Sequence, residues 1–286
     1  MHQGGPLLKL KTLTAAAAFF LLAGCGTNEE SANPQKTKTP QAVNETASNE
    51  GKNGEPKKEA VQKEEPAEET ALPLMPAYRL NTANWSLKPI AGQNPKVALL
   101  TIDDAPDKNS LQIAKTLKSL NVKAIFFVNG HFIDSEEEKL VLKQIDQMGF
   151  MIGNHTYNHK TLKELTDQEQ YDEIVKLNDT VEQIIGKRPK FFRAPFGINT
   201  DYSRKVVADE KMLLMNWTYG YDWEKEYQNK AALENIMVNS PYLTSGANLL
   251  MHDRAWTSQA MPQIIKGLQA KGFEMLDPAL IETTAN

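Results

Sequence analysis

Cysteine is nearly missing from this sequence: of 286 residues, only Cys25 carries a thiol. An intramolecular disulfide is thereby excluded, and so is any metal centre built from several thiolates. Aromatic side chains are missing over one long interval, with none between Phe20 and Tyr78. Glu, Lys, Pro, Asn, Thr and Ala dominate that interval, a composition that buries too little apolar surface to offset the entropy of ordering. Residues 25–75 are therefore predicted to form a disordered tether. A surplus of positive charge is absent too. The formal net charge is −4 and becomes more negative if a leader carrying Lys9 and Lys11 is removed, so a basic surface for nucleic acid is not expected and a neutral or weakly charged partner fits better. The apolar run from Leu13 to Leu22 falls short of the roughly 20 residues a helix needs to cross a hydrocarbon layer about 30 Å thick, which argues against a transmembrane span.

What that run does have is context. Lys9 and Lys11 precede it, the small residues Ala23 and Gly24 end it, and Cys25 follows at once. This is the layout of a secretory signal peptide over residues 1–24. Leu22-Ala23-Gly24-Cys25 resembles the lipobox of bacterial lipoproteins, which implies lipidation of Cys25 and anchoring at the outer face of the bacterial cytoplasmic membrane through buried acyl chains. A tether of about fifty residues would then let a following domain reach into the wall.

From about Pro89, apolar runs alternate with charged stretches, and roughly two hundred residues suffice for one substantial core, taken as a single domain over 76–286. Lys96–Ile102 reads as a buried strand, and Leu111, Ala114, Leu117 and Leu120 lie on one face of a helix over Asn109–Asn121. The alternation continues with strands at Lys123–Val128, Phe150–Ile152, Lys190–Arg193, Leu213–Thr218, Leu249–His252 and Phe273–Leu276. Helices are expected at Glu136–Met148 and Asp167–Ile185 and near Ser203, Ala231 and Gln259. Continuous apolar strands joined by helical crossovers make an α/β architecture, either a barrel or an open sheet. Chemistry in such folds gathers at the carboxyl ends of strands, so the polar residues that follow each apolar run are the ones to inspect.

Asp103 and Asp104 directly follow the first run. Two adjacent carboxylates at the end of a buried strand need a metal or an arginine to neutralise them, although an Asp pair can also serve a helix N-terminus. His155 and His159 are spaced i, i+4, which on a helical turn presents two imidazole nitrogens to one ion; hydrogen-bonded surface histidines are the plainer reading. Arg193 begins the stretch Arg-Ala-Pro-Phe-Gly, where Pro195 and Gly197 fix an irregular loop and a guanidinium could meet a carboxylate. Asp222-Trp223 and Leu250-Met251-His252 are ordinary when taken singly.

Taken together and in this order, the five stretches resemble the motifs of the polysaccharide deacetylase family, the NodB-homology domain of carbohydrate esterase family four. Thr101-Ile102-Asp103-Asp104 matches the first motif and His155-Thr156-Tyr157-Asn158-His159 the second. Arg193 to Phe196, Asp222-Trp223 and Leu250-Met251-His252 match the other three, and the resemblance spans about Pro89 to Ile281. It implies a distorted (β/α) barrel and a metal-dependent N-deacetylase acting on an acetylated glycan such as peptidoglycan or a chitin-like polymer; a monomer is expected. It further implies that Asp104, His155 and His159 hold a divalent ion. Zinc is the first choice, while two His and one Asp also suit cobalt, nickel or iron. By the same resemblance Asp103 is the base, oriented by Arg193; His252 is the acid, tuned by Asp222; the backbone N–H of Phe196 stabilises the oxyanion; and Trp223 and Leu250 wall the acetyl methyl.

The family more commonly has Phe and Gly where this chain has Ile102 and Ala105. Ala105, with its Cβ, is expected to reshape the loop or the cleft rather than the chemistry. Tyr157, Phe196, Trp217, Trp223 and Trp256 are candidates to stack on sugar rings, or else packing residues. Two rival functions remain: a glycan-binding lipoprotein that has lost activity, and an O-acetyl esterase of the same fold.

Overall fold

The computed structural model describes residues 75–283. The expected signal peptide, Cys25 and the tether through residue 74 lie outside the described residues. The chain enters as a short antiparallel hairpin, β1 (Tyr78–Leu80) and β2 (Leu87–Pro89), which the apolar pattern does not foretell. There follow β3 (Val97–Ala105), α1 (Ser110–Ser119), β4 (Ile125–Val128), α2 (Glu136–Gln147), β5 (Met151–Asn154), α3 (Asp167–Ile185), β6 (Phe191–Phe192), α4 (Asp201–Asp209), β7 (Leu213–Leu214), α5 (Lys230–Asn239), β8 (Ala247–His252), α6 (Ala255–Ala270) and β9 (Glu274–Met275).

These strands form one parallel sheet in the order β7-β6-β5-β4-β3-β8, with β9 paired to the start of β3. The predicted strand Leu213–Thr218 is only two residues long as β7. The chain beyond it crosses to the free edge of β8, where Tyr219 bridges Leu249 and the Thr218 amide donates to the Asn248 carbonyl. The sheet therefore curls on itself, with helices outside, as the expected distorted (β/α) barrel.

Alternation of side chains along the strands decides what sits inside. On β3, Ala98, Leu100 and Ile102 pack outward in the main core with α1 and α6, while Val97 and Leu99 join a second cluster with Ile125, Phe127, Phe191 and Met215. Tyr78, Leu80 and Leu87 of the hairpin complete that second cluster, and the hairpin is tied down by the Ala77 amide on Leu280 and the Leu87 amide on Gly246. Each such buried Leu or Phe contributes about 1.5–3 kcal/mol relative to exposure, so the inner cluster is a firm floor. The next inward positions of β3 are Thr101 and Asp103. The same parity puts Arg193 above Phe191 after β6, and Asn248, Leu250 and His252 inside on β8, whose Ala247, Leu249 and Met251 face outward. Apolar below and polar above, the interior becomes a site at the carboxyl ends of the strands.

Local signals fix the connections. Thr166 and Glu169 form a capping box that starts α3, and Gly186, in the left-handed region at φ 75°, ends it. Helix α1 has no side-chain cap of its own from Asn109; instead Asp253, just past β8, accepts from the Asn109 and Ser110 amides at 2.7 and 2.6 Å. The expected helical turn carrying His155 and His159 is not there. Residues 155–160 form an irregular loop, with Thr156 and His159 at positive φ of 66° and 55°.

Candidate active site

Asp103, 2% exposed, is a buried carboxylate at the floor of the site. Its Oδ1 accepts from Arg193 Nη1 at 2.6 Å, and the same nitrogen lies 2.8 Å from Thr101 Oγ1. Arg193 is itself fully buried, with Nη2 donating to the Asn216 carbonyl and its guanidinium stacked over Phe127 at 4.3 Å. Burial pulls its pKa down and the Asp103 charge pushes back. A buried arginine held by carboxylate, hydroxyl, carbonyl and ring has one orientation, and so therefore has the Asp103 carboxylate.

Asp103 Oδ2 points the other way, 3.5 Å from His155 Nε2. His155 Nδ1 lies 2.7 Å from the Arg193 carbonyl, to which it donates, so Nε2 is the nitrogen turned toward the two carboxylates. Asp104 Oδ1 is 3.9 Å from His155 Nε2 and 3.5 Å from His159 Nε2. One donor atom from each of Asp104, His155 and His159 lies within 4.8 Å of the others. Ligand atoms around a tetrahedral zinc at 2.0–2.1 Å stand about 3.3 Å apart, so a small contraction would close these three on one ion. Their electrostatics agree. Burial works against the charged form of Asp104, but His155, His252, His159 and Arg254 together hold it below the usual carboxylate range. Burial, with His155 next, keeps His159 below the ordinary imidazole value, the neutral form a metal needs.

The loop bearing the two histidines is held from behind by buried polar groups. Glu173 accepts from the Asn158 amide and side chain at 2.7 Å each, Asn154 Oδ1 accepts from the Thr156 amide, and Asn129 Nδ2 donates to the His155 and Thr156 carbonyls. These bonds make the left-handed turns at Thr156 and His159 affordable and bring a loop histidine within reach of a strand carboxylate.

On the opposite side, His252 Nδ1 lies 2.7 Å from Asp222 Oδ1. Asp222 is fully buried, and its Oδ2 accepts from the His252 amide and Thr257 Oγ1. Burial opposes a charged ring here, but the hydrogen bond and charge of Asp222, with Asp103 and Asp104 beyond it, leave the His252 pKa raised. Nδ1 being engaged, Nε2 is the nitrogen left for the cleft.

The cleft is about 440 Å³ and is lined by these carboxylates and imidazoles together with Phe196, Trp217, Trp223, Leu250 and Arg254. Phe196, 61% exposed and at φ 59°, packs its ring edge-on to His159, and Trp223 does the same to His252. Trp223 is let in by Gly220, where a Cβ would fall 2.3 Å from the Leu250 carbonyl oxygen and 2.7 Å from the indole. The structure thus brings every candidate named for the five motifs to one cleft or its immediate backing. Two of the aromatic candidates are not among its lining. The Tyr157 hydroxyl donates to Asp134, with Lys176 over the ring, and Trp256 packs against the core with Nε1 on the Asp222 carbonyl. Nor does Ala105 shape the cleft: it is fully buried in the outer core, and the positive φ of this loop, 58°, is at Asp104. Arg254, which sequence reasoning missed, donates to Asp104 Oδ2 at 2.8 Å; its place directly after His252-Asp253 was the available signal.

Comparison with known proteins finds the chain's relatives among polysaccharide deacetylases. The polysaccharide deacetylase family profile matches residues 91–214. A peptidoglycan-N-acetylglucosamine deacetylase of Bacillus cereus is 32% identical over 194 residues, 64% of this chain and 69% of that one. The peptidoglycan-N-acetylmuramic acid deacetylase PdaC of Bacillus subtilis is 30% identical over 191 residues, 66% of this chain but only 39% of PdaC. Its solved structure superposes with a TM-score of 0.58 at 29% identity, covering 65% of this chain and 91% of that one. A carbohydrate esterase family 4 pseudoenzyme of Bacillus anthracis superposes equally well, TM-score 0.58 at 28% identity over 67% of this chain and 69% of that one.

Proposed function

This chain belongs to the polysaccharide deacetylase family, and we propose that it is a metal-dependent hydrolase removing N-acetyl groups from amino sugars of peptidoglycan or a related extracellular glycan. The observation that carries the proposal is Asp103, a carboxylate clamped by Arg193 on one oxygen and turned with the other toward the cluster of Asp104, His155 and His159.

Those three residues would hold a divalent ion, zinc being the first choice, which when bound supplies a Lewis acid for the acetamide carbonyl and for the attacking water. Asp103 Oδ2 takes the proton of the water as it adds to the carbonyl carbon. Arg193 holds that carboxylate in a single orientation. His252, held charged by Asp222, gives its Nε2 proton to the nitrogen as the carbon–nitrogen bond breaks, so that amine and acetate leave. The Phe196 amide, on the left-handed turn after β6, donates to the developing oxyanion, and Trp223 and Leu250 enclose the methyl group. Phe196 and Trp223, exposed on either flank, offer faces to a sugar ring.

The likeness to a pseudoenzyme gives the binding-only reading a specific basis, but this chain carries base, acid and all three ligand residues in one cleft. The relatives' substrates favour wall glycans. Cys25 after its apolar leader supports a lipid anchor on the outer membrane face, with the domain reaching the wall by its tether. No helix of the described residues is long and apolar enough to cross a membrane. The test is acetate release from peptidoglycan and from chitooligosaccharides, before and after chelation and metal restoration. Metal-dependent acetate from either glycan is expected; bound metal with no acetate from any acetylated glycan would make this a binding protein, and acetate from O-acetyl esters alone an esterase.

A further inference from the structure

Arg254 has no task in the chemistry above, yet it lines the cleft. It is the N-cap residue of α6, and its side chain is 37% exposed. Nη2 donates to Asp104 Oδ2 at 2.8 Å and Nη1 to the Asp253 carbonyl at 3.0 Å. Those are the guanidinium's only hydrogen bonds among the described residues. Of the five N–H donors on an arginine, three are therefore left over on a fork already fixed in place. The charge balance points the same way. Asp103 is matched by Arg193, and Asp104 is the carboxylate a divalent ion would share. Once the site is loaded, Arg254 would share Asp104 with the ion, and with only Asp107 and Asp253 as further carboxylates close by among the described residues it would remain a fixed cation at the edge of the cleft.

We propose, building on the deacetylase reading, that Arg254 binds a carboxylate borne on the ring carbon next to the one carrying the acetamide, and so selects acidic acetamido sugars of the N-acetylmuramic acid type. An acetamide seated between Asp103, Asp104 and His252 would lie beside the carboxylate to which this guanidinium is moored, so that a substituent on a neighbouring ring carbon would come within its reach. The planar fork suits a carboxylate geometrically, and it acts where Phe196, Trp217, Trp223 and Leu250 lower the local dielectric. Neutral sugars would lack the contact.

The test compares an N-acetylmuramic acid oligosaccharide having its lactyl carboxylate free with the same oligosaccharide carrying that group as the methyl amide. kcat/KM is measured for the zinc-loaded full chain, its Arg254→Gln variant and its Arg254→Lys variant, and the deacetylated sugar is identified by mass spectrometry. Calorimetric binding of the same pair to the Asp103→Asn chain, with and without Arg254→Gln, gives a readout independent of turnover. Wild type is expected to favour the acid by about tenfold or more, the size of one charge-assisted contact. Arg254→Gln should bring the ratio close to one in both rates and binding, Arg254→Lys should keep part of it, and added salt should shrink it in wild type. An acid-to-amide ratio near one in wild type, or one that Arg254→Gln leaves unchanged, overturns the assignment, even if that variant slows both substrates through Asp104. If no glycan is deacetylated at all, the deacetylase reading fails and the binding ratio still decides for Arg254.

Discussion

Arg193→Met probes the deepest commitment of the fold to the site. The substitution roughly preserves length and apolar packing over Phe127 while deleting the guanidinium that holds Asp103 Oδ1 at 2.6 Å and Thr101 Oγ1 at 2.8 Å. Asp103, 2% exposed, would be left as a buried carboxylate without its cation. Removing one partner of such a pair costs about 3–5 kcal/mol. At about 2–4 °C per kcal/mol for a domain of this size, melting should fall by about 6–20 °C in chelator, where no ion can substitute for the arginine. Asp103→Asn in the same background removes the stranded charge, so the double variant should be more stable than Arg193→Met alone. Urea unfolding of wild type, both single variants and the double variant closes the cycle. A loss under about 1 kcal/mol for Arg193→Met, or a double variant that simply adds the two single losses, would refute the view that this pair is a coupled, desolvated unit.

Other consequences are equally specific. Asp222 raises the His252 pKa, and the protonated ring is the active form, so activity holds below that raised pKa and is lost as pH rises through it; Asp222→Asn should move the alkaline limb of the kcat/KM profile to lower pH with little change in metal content. Glu173→Gln sets an amide NH2 against one of the two Asn158 donors behind the histidine loop, and equilibrium dialysis should find metal affinity lowered about tenfold or more with the fold intact. Gly220→Ala drives a methyl against the Leu250 carbonyl and the Trp223 ring, so it should cost about 1–3 kcal/mol in urea unfolding and change the indole fluorescence.

Most of the barrel was legible because its strands are buried on both faces and read as unbroken apolar runs. Helix α3 was legible to both ends because Thr166, Glu169 and Gly186 punctuate it. The hairpin at Tyr78–Leu80 and Leu87–Pro89 was not, since strands of three residues carry no period and are stabilised by partners such as Leu280 and Gly246, distant in sequence. The site showed a similar split. Asp103, Asp104 and His252 stand out as polar residues ending apolar strands, although His252 is ordinary until the order of all five stretches is considered. The i, i+4 spacing of His155 and His159 suggested a helix, but the loop between them is shaped by Asn129, Asn154 and Glu173, whose part no local pattern discloses. For Tyr157 and Trp256 the choice between sugar stacking and packing could not be made until their partners, Asp134 and the Asp222 carbonyl, were seen. Arg254 escaped notice because its meaning lies in a contact with Asp104, 150 residues away.

The central claim, that Asp103 is the base of a metal-dependent N-deacetylase, is tested most directly by Asp103→Asn. Metal content and acetate release from peptidoglycan and chitooligosaccharides should be measured for the variant and for wild type in parallel. The account predicts comparable metal in both and acetate from wild type alone, with the variant reduced by a factor of about 10² or more, as expected for loss of a general base. Acetate release by the variant at near wild-type rates would contradict it.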